Sequence, residues 1–384
     1  MLSKFFKSSS IKKPEKSVVH LKVNGNSKGN VLISYITAPF LLEKGSAMPT
    51  FHSNYWECFQ MAQTFLDAGY NVDVIDYDNA EFIPVKDYSV FIDIHFNMKR
   101  LAPLLGANCK KILYATGAHS LFQNTAEYER LLALQKRRNV SLIPRRISPP
   151  GPFVEYADTI TVLGNSFTES TYQFSNKPIY KIPISSTVEY PFNENKNYSA
   201  IKKNFIWIGS RGMVHKGLDL VLDAFAELKD FNLKIFGDVA SEEDFSQFYS
   251  RELYSTPHIQ VMGWMDTDSP KFKEILNQSI GVIYPSCSEG GGGSVVNVMC
   301  AGLIPIVSRE SSVDIHDFGF LLEALTVESI QKKIQHVSSL PDEELKALSK
   351  RTFEFAHKTH SRESYARHFK HFLDFVVFNS VKGN

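Results

Sequence analysis

The sequence IWIGSRGMVHKGLDLVLDAF (206–225) predicts a buried strand, a glycine-bearing turn with two cations, and then an amphipathic helix. In that unit Arg211 and Lys216 can converge on an anion, because the turn directs side chains and backbone N–H groups into the crevice at the strand end. A diphosphate is the natural ligand for such a crevice. The alternative is that both residues are surface cations at a helix start, where the helix dipole does not favour positive charge.

A second stretch, IGVIYPSCSEGGGGSVVNVMCAGLIPIVS (280–308), predicts a buried strand, a glycine-rich loop, a short helix and another strand. The loop contains four glycines, which allow close approach to a ligand and positive φ: Gly290, Gly291, Gly292 and Gly293. The helix N-terminus near Ser294 offers free N–H donors to phosphate. Glu289 faces the same crevice, and since a carboxylate repels phosphates we assign it to sugar hydroxyls. The alternative is a flexible linker, which the flanking apolar strands argue against.

The rest of the chain alternates apolar runs with amphipathic stretches, which is typical of βαβ units and parallel sheets. At 384 residues with 43% hydrophobic content, the chain can form two domains with separate cores. The predicted strands are 31–36, 72–77, 90–95, 111–116, 158–163 and 179–184 in the first half, and 204–209, 233–237, 259–263, 280–284 and 304–308 in the second.

The polar, turn-rich segment 191–200 predicts a linker between the domains. The predicted organisation is a basic flexible tail at 1–28, a first domain at 29–190, a second domain at 201–358, and a C-terminal helix at 359–384 that packs back toward the first domain.

Composition excludes several classes of function. With 42 basic and 41 acidic residues, the chain has no overall field to attract a nucleic acid. The four cysteines form no CxxC pair, which favours a reduced cytoplasmic protein. No run of about 18 apolar residues and no signal-peptide pattern occurs, so we expect neither a membrane span nor export by that route.

The two motifs resemble the donor domain of glycosyltransferase family 4, from about residue 204 to the C-terminus. In that family a glycine-arginine turn is followed five residues later by the lysine of a Lys-Gly pair, and a Pro-Ser...Glu-Gly segment begins a Glu-x7-Glu motif. The matching residues here are Gly209, Arg211, Lys216 and Gly217 for the turn, and Pro285, Ser286, Glu289 and Gly290 for the segment.

The resemblance implies the GT-B fold, an α/β architecture of two Rossmann-like domains whose parallel sheets face across an interdomain cleft. It also implies a retaining, metal-independent transfer of a hexose-type group from a nucleotide diphosphate sugar, with Arg211 and Lys216 on the diphosphate. The implied acceptor is a glycan or a lipid-linked molecule, and the implied setting is cell-surface polysaccharide synthesis. We expect no cofactor besides the donor.

Two short segments have the Asp-x-Asp form that can bind a metal: Asp76-Tyr77-Asp78 and Asp266-Thr267-Asp268. Such short patterns are common by chance, and we assign no metal.

The chain departs from the family at Asn297, where the second glutamate of the motif is expected. In the family that glutamate usually holds the ribose hydroxyls, and an amide can donate and accept equivalent hydrogen bonds. We therefore expect the ribose contact or the nucleotide preference to differ.

The first half resembles the family only loosely, and its candidate residues sit at strand ends. The segment KILYATGAHS (111–120) resembles the family segment whose histidine lies beside the reacting sugar, so His119 is predicted to contact the donor sugar, with His95 as the alternative. His52, Asn54 and Glu57 can line the acceptor site, although a helix N-cap at Ser53 explains much of that pattern.

Two basic segments leave alternatives open. The segment 136–152 predicts an exposed loop whose arginines contact an anionic acceptor or a membrane, or are simply solvated: Arg137, Arg138, Arg145 and Arg146. The lysine-rich tail, with Leu2, Phe5 and Phe6, can rest on the inner face of the membrane or be a solvated tail.

Two other functions remain open at this point. One is another GT-B activity, such as a nucleotide-sugar epimerase or a phosphorylase. The other is a degenerate, non-catalytic subunit that binds a nucleotide sugar, which the departure at Asn297 suggests.

Overall fold

A computed structural model describes residues 18–43 and 45–378, which form two α/β domains, each built on a sheet dominated by parallel strands. The predicted fold class is confirmed. The contacts predicted for Leu2, Phe5 and Phe6 lie outside the described residues, as do the first part of the predicted tail and the end of the predicted C-terminal segment. Among the described helices, none combines the length and apolar character that crossing a bilayer requires.

The first domain contains a sheet with the strand order β1-β3-β2-β4-β5-β6-β7, in which β1 pairs antiparallel to β3 and the other pairs are parallel. Its strands are Val19–Leu21 (β1), Asn30–Tyr35 (β2), Asn71–Asp76 (β3), Val90–Asp93 (β4), Lys110–Ala115 (β5), Thr159–Val162 (β6) and Ile179–Lys181 (β7). Its helices are Ser53–Asp67 (α1), Met98–Leu101 (α2), Ser120–Arg138 (α3) and Ser166–Ser170 (α4). The six strands predicted in the first half are present, and β1 is an addition.

The second domain contains a parallel sheet with the order β10-β9-β8-β11-β12-β13. Its strands are Asn204–Ile208 (β8), Asn232–Phe236 (β9), Ile259–Gly263 (β10), Gly281–Tyr284 (β11), Ile304–Val307 (β12) and Phe320–Leu321 (β13). The helices of this half are Tyr198–Ile201 (α5), Leu218–Glu227 (α6), Glu243–Phe248 (α7), Ser250–Ser255 (α8), Pro270–Asn277 (α9), Gly293–Met299 (α10), Val327–Ser339 (α11) and Asp342–His360 (α12). The five predicted strands are present, and β13 extends the sheet.

In each sheet the strand order reverses near the centre, between β2 and β4 in the first and between β8 and β11 in the second. Connections at the carboxyl ends of strands diverge at such a switch point and leave a crevice. The segments after β4 and β5 face the segments after β8 and β11 across one shared cavity. The fold therefore places both predicted motifs of the second half opposite the first domain.

The last helix, Arg362–Leu373 (α13), packs against the first domain. The side chains of Tyr365 and Phe369 are fully buried there. The Tyr365 ring lies 5.6 Å from Trp56 of α1, and its hydroxyl lies 2.9 Å from that of Tyr114 on β5. Apolar burial of this helix closes one face of the first sheet.

Helix α3 belongs to the first domain by sequence order, but buried ion pairs attach it to the second. Asp219 on α6 is fully buried, and its carboxylate accepts from Arg137 at 2.6 Å and from Arg130 at 3.4 Å. Arg137 also donates to Asp223 at 2.7 Å. These contacts join the two domains through desolvated charges, whose mutual attraction must offset the cost of removing them from water.

The loop predicted at 136–152 is present from residue 139 onward, while its first three residues belong to α3. Arg137 and Arg138 are the last residues of α3, and Arg138 reaches Glu252 at 2.8 Å. Arg145 pairs with Asp244 at 2.5 Å. These three arginines bind carboxylates of the second domain, so they are not the freely solvated side chains that one alternative described. Arg146 differs and lines the cavity.

Replacing Asp219 tests the interface between α3 and α6. Asp219→Asn keeps the shape of the side chain but leaves Arg130 and Arg137 without their shared buried carboxylate. We expect the free energy of unfolding to fall by about 3 kcal/mol, because an uncompensated buried charge is costly. Asp317→Asn is the control, since Asp317 is 77% exposed in its pair with Arg351, and exposed pairs contribute about 1 kcal/mol or less. Denaturant unfolding measures both variants, and equal losses would contradict the interface role.

Candidate active site

The turn after β8 is held from two sides. The indole N–H of Trp207 donates to the carbonyl of Lys216 at 3.1 Å. The carboxylate of Glu242 accepts from the backbone N–H groups of Gly212 at 2.5 Å and Met213 at 3.1 Å. Both contacts tie the turn to buried groups, so the positions of Arg211 and Lys216 are fixed by the fold.

Gly209 and Gly217 flank this turn. Gly217 has a φ of 76°, a left-handed conformation that favours glycine, and a Cβ there would lie 2.5 Å from Pro285. A Cβ on Gly209 would lie 2.6 Å from the Trp207 ring. Both glycines are needed for packing of the turn, which leaves their predicted role in donor binding as a prediction.

Lys216 and Glu289, predicted on separate motifs, form one buried ion pair. The Lys216 ammonium also donates to the hydroxyl of Tyr284 at 2.7 Å, and this hydroxyl donates to Oε1 of Glu289 at 2.8 Å. Ser286 donates to the same Oε1 at 3.1 Å. Among the described residues no donor reaches Oε2 of Glu289, and this residue lines the cavity. The second carboxylate oxygen is therefore available to a ligand.

The charges of this pair depend on each other. Burial by itself raises the pKa of Glu289, but the positive charges of Lys216 and Arg146 outweigh burial and lower it to about 2. Burial lowers the pKa of Lys216, and Glu289 opposes that shift. Glu289 is consequently an anion at neutral pH and acts as a hydrogen-bond acceptor, not as a proton donor.

Arg211 is exposed at the mouth of the same cavity. It has no ion pair with any part of the chain that the structure describes. The structure thus places Arg211 and Glu289 on one cavity, with Lys216 paired to Glu289, and leaves the guanidinium of Arg211 open to an anion.

The glycine loop lies directly against the first domain. A Cβ on Gly290 would lie 2.3 Å from the carbonyl oxygen of Thr116, and one on Gly291 would lie 2.8 Å from that of Leu163. Gly291 and Gly292 have positive φ, as expected, and Gly293 begins α10. The absent side chains allow close approach of two domains as well as the predicted approach to a ligand.

The cavity between the domains has a volume of about 270 Å³. Its first-domain wall comes from the segments after β4 and β5 and from the segment that follows α3: Ile94, His95, Phe96, Thr116, Gly117, Ala118, Ser120, Gln123, Arg145, Arg146, Ile147, Ser148, Pro149, Phe153 and Tyr172. Arg211, Glu289 and Gly290 form the second-domain wall. Polar and cationic groups from both domains converge on one space.

Of the two candidate histidines, His95 faces this cavity and His119 does not line it. His95 has a φ of 137°, which a residue with a side chain rarely adopts, and the Asp93 carboxylate holds the turn by accepting from the backbone N–H of His95 at 2.9 Å. His119 is the N-cap of α3, and its Nδ1 accepts from Leu121 at 3.4 Å. It packs against aromatic rings and lines a neighbouring surface groove.

The residues predicted for the acceptor side take different positions. His52, not Ser53, is the N-cap of α1. Desolvation lowers the pKa of His52, and the positive charges of Lys216 and Arg146 lower it further, which places His52 near the cleft. Glu57 is buried in the core and accepts two hydrogen bonds from Ser185 at 2.9 Å. Neither Glu57 nor Asn54 lines the cavity.

Asn297 is nearly buried on α10, one turn beyond Ser294. Its side-chain oxygen accepts from the backbone N–H of Thr187 at 2.8 Å. The amide therefore links α10 to the segment that follows the first sheet. The predicted ribose contact remains a prediction.

Within residues 18–43 and 45–378, no group of three or more His, Cys, Asp or Glu side chains is arranged to hold a metal ion. Of the two Asp-x-Asp patterns, Asp76 accepts from Thr37 at 2.8 Å and Asp266 accepts from Thr50 at 3.0 Å. These carboxylates are thus engaged in bonds within the protein.

Several residues that shape the site were not among those predicted from the sequence. Tyr284 bridges Lys216 and Glu289, and its place at the end of β11, just before Pro285, was a usable signal. His215 is buried and pairs with Glu127 of α3. No local pattern indicates that partnership, because the two residues lie on different domains.

Gly290→Ala tests the close approach of the loop to the first domain. The new methyl group would overlap the backbone of Thr116, so the domains must separate or the loop must shift. We expect the activity of the protein to fall at least tenfold, because a small misplacement of binding groups has that effect. Gly106→Ala is the control, since a Cβ there meets nothing within 4 Å. X-ray scattering and activity assays on both variants provide the measurement, and unchanged activity in Gly290→Ala would refute the close approach.

Comparison with known proteins supports a specific family for the second half. Residues 191–355 match the family described as glycosyl transferases group 1. No curated protein sequence matches the chain.

Solved structures share the two-domain fold at low sequence identity. Sucrose-phosphate synthase from Thermosynechococcus elongatus is 14% identical, with 91% of this chain and 99% of that chain covered and a TM-score of 0.63. HepE from Anabaena, in complex with UDP and glucose, is 9% identical, with 90% and 99% covered and a TM-score of 0.55. A TarM variant from S. aureus, in complex with fondaparinux, alpha-GlcNAc-glycerol and UDP, is 14% identical, with 74% of this chain covered and a TM-score of 0.53. The chain spans only 55% of the TarM chain.

These similarities show the GT-B fold for the chain as a whole, and the family match is confined to its second half. The second domain is thus similar to the group 1 glycosyl transferases over residues 191–355, and the chain as a whole shares its fold with the solved structures.

Proposed function

We propose that the chain is a retaining, metal-independent glycosyltransferase that moves a hexose-type sugar from a nucleotide diphosphate sugar to a glycan or a lipid-linked acceptor. The observation that carries the proposal is the shared cavity, where Arg211 and Glu289 of the second domain face His95 of the first. Cell-surface polysaccharide synthesis, in the cytoplasm or at the inner face of the membrane, is the setting that the sequence resemblance implies.

Arg211 and Lys216 are proposed to hold the diphosphate. The guanidinium of Arg211 is open to the cavity, and the Lys216 ammonium has three protons, of which Tyr284 and Glu289 engage two. As the bond to the sugar breaks, the departing diphosphate gains negative charge, and cations fixed in a poorly solvated site stabilise it without reorganising. This role makes a metal ion unnecessary for leaving-group stabilisation.

Glu289 is proposed to position the sugar. Its Oε1 is engaged by Lys216, Tyr284 and Ser286, while Oε2 is available in the cavity. An ionised carboxylate accepts hydrogen bonds from hydroxyl groups, which sugars supply in pairs. The first-domain contact to the sugar is assigned to His95, because it lines the cavity and His119 does not.

UDP sugars are the first donors to test, since structural neighbours contain UDP. Thermal-shift measurements with UDP-, GDP- and ADP-sugars identify the donor, because a ligand that binds the folded state raises its stability. Assays with donor alone separate transfer from the epimerase alternative, and assays with donor and inorganic phosphate separate it from the phosphorylase alternative, in which phosphate takes up the sugar.

Lys216→Met tests the catalytic role of the pair. Methionine keeps the length of the side chain and removes the charge, so turnover should fall by about 100-fold, the usual effect of losing one transition-state donor. Lys273→Met is the matched control, because Lys273 is exposed in its pair with Asp268. Release of nucleoside diphosphate in the presence of acceptor measures turnover. Unchanged turnover in Lys216→Met, with its fold intact, would refute the catalytic role of Lys216, whereas absence of turnover in the parent chain would favour the non-catalytic subunit.

A pair of histidine variants separates the two first-domain candidates. His95→Ala should lower turnover at least tenfold, because it removes a group that faces the cavity. His119→Ala should lower the free energy of unfolding by about 1 kcal/mol, as loss of a helix N-cap does, with turnover close to that of the parent chain. Turnover and denaturant unfolding are measured for both variants. Lower turnover in His119→Ala, with turnover in His95→Ala close to that of the parent chain, would assign the sugar contact to His119.

A further inference from the structure

Arg146 is the one basic residue of 136–152 that both lines the cavity and lacks an ion pair within the described chain. Its backbone is fixed on both sides. The N–H groups of Arg145 and Arg146 donate to Glu127 at 2.7 and 3.2 Å, and Ser148 exchanges two hydrogen bonds of 2.8 Å with Asn124. The segment therefore presents Arg146 to the cavity from a rigid support.

The guanidinium of Arg146 lies in a place that suits an anion. Its Nε is shielded from solvent and has no hydrogen-bond partner, an arrangement that costs free energy unless a ligand accepts from it. Its stem passes so close to the turn after β8 that a Cβ on Gly212 would lie 2.6 Å from it. Arg146 thus crosses from the first domain to the turn that carries Arg211.

The balance of charge in the cavity is positive. Arg146 and Arg211 line the cavity together with one carboxylate, that of Glu289, which is paired with Lys216, and the neighbouring Arg145 is paired with Asp244. The field of Arg146 lowers the pKa of both Glu289 and Lys216, which places its charge close to that pair. A cluster of this kind favours a multiply charged anion.

We propose that Arg146 supplies, from the first domain, a third cation to a phosphate-binding site that it shares with Arg211 and Lys216. The phosphate belongs either to the donor diphosphate or to a phosphorylated acceptor, and guanidinium recognition is the same for both. The site is complete only when the two domains are together. This inference rests on the proposed function for the identity of the substrates, but phosphate binding can be measured without transfer.

The test compares Arg146→Gln with Arg251→Gln, a control that removes an exposed arginine on α8, away from the cavity. Calorimetry measures binding of UDP, GDP and uridine, and then binding of glycerol 3-phosphate to protein saturated with UDP. Far-UV circular dichroism and unfolding midpoints check that each variant is folded. We expect Arg146→Gln to lower the affinity for one phosphate probe by about tenfold or more, as loss of a charged hydrogen bond does. We expect Arg251→Gln to bind every probe with the affinity of the parent chain.

The probes distinguish the two sources of phosphate. Weaker UDP or GDP binding with unchanged uridine binding assigns Arg146 to the donor diphosphate. Loss of glycerol 3-phosphate binding alone assigns it to a phosphorylated acceptor. The inference is overturned if Arg146→Gln binds the phosphate probes as tightly as the parent chain does. It is also overturned if neither protein binds them. If Arg146-dependent binding persists but no donor supports transfer, the proposed function fails and this inference stands.

Discussion

The buried carboxylate of Asp219, held between Arg130 and Arg137, is the contact on which the geometry of the molecule depends. It joins α3 of the first domain to α6 of the second, and α6 directly follows the turn that carries Arg211 and Lys216. Charges removed from water tolerate little displacement, because a separated partner is left without solvent. The same helix reaches His215 through Glu127 and supports the segment that carries Arg146. One interface therefore fixes the distance between the two walls of the cavity.

At the cavity, unlike at the interface between α3 and α6, only some of the charged side chains have a partner of opposite charge. Lys216 and Glu289 satisfy each other, with Tyr284 as a common partner, so the site is stable without a ligand. Arg211 and Arg146 have no such partner among the described residues. The cavity thus combines a neutral, prearranged pair with uncompensated positive charge, and a substrate bearing both hydroxyl groups and phosphates complements it.

The sequence could predict features that depend on local pattern. Apolar runs at regular spacing predicted the parallel strands, and the glycine-bearing segments after two of them predicted that Arg211 and Glu289 face one crevice. It could not predict contacts between distant segments. The partners of Arg137 lie more than 80 residues away along the chain, so nothing beside it indicated burial. His119 and His95 both follow strands, and only the packing of α3, which uses His119 as its cap, distinguishes them.

The contact of Gly290 with Thr116 lies both at the cavity and at the interface between the domains. The loop that faces the ligand space on one side rests on the first domain with its backbone on the other. Widening the cavity at this point requires separating the backbone of Gly290 from that of Thr116. Thr116 lies in the segment between β5 and α3, so such a separation also displaces the start of α3. A ligand too large for the cavity can therefore enter only when the two domains move apart at this contact, a motion that limits the rate of many two-domain enzymes.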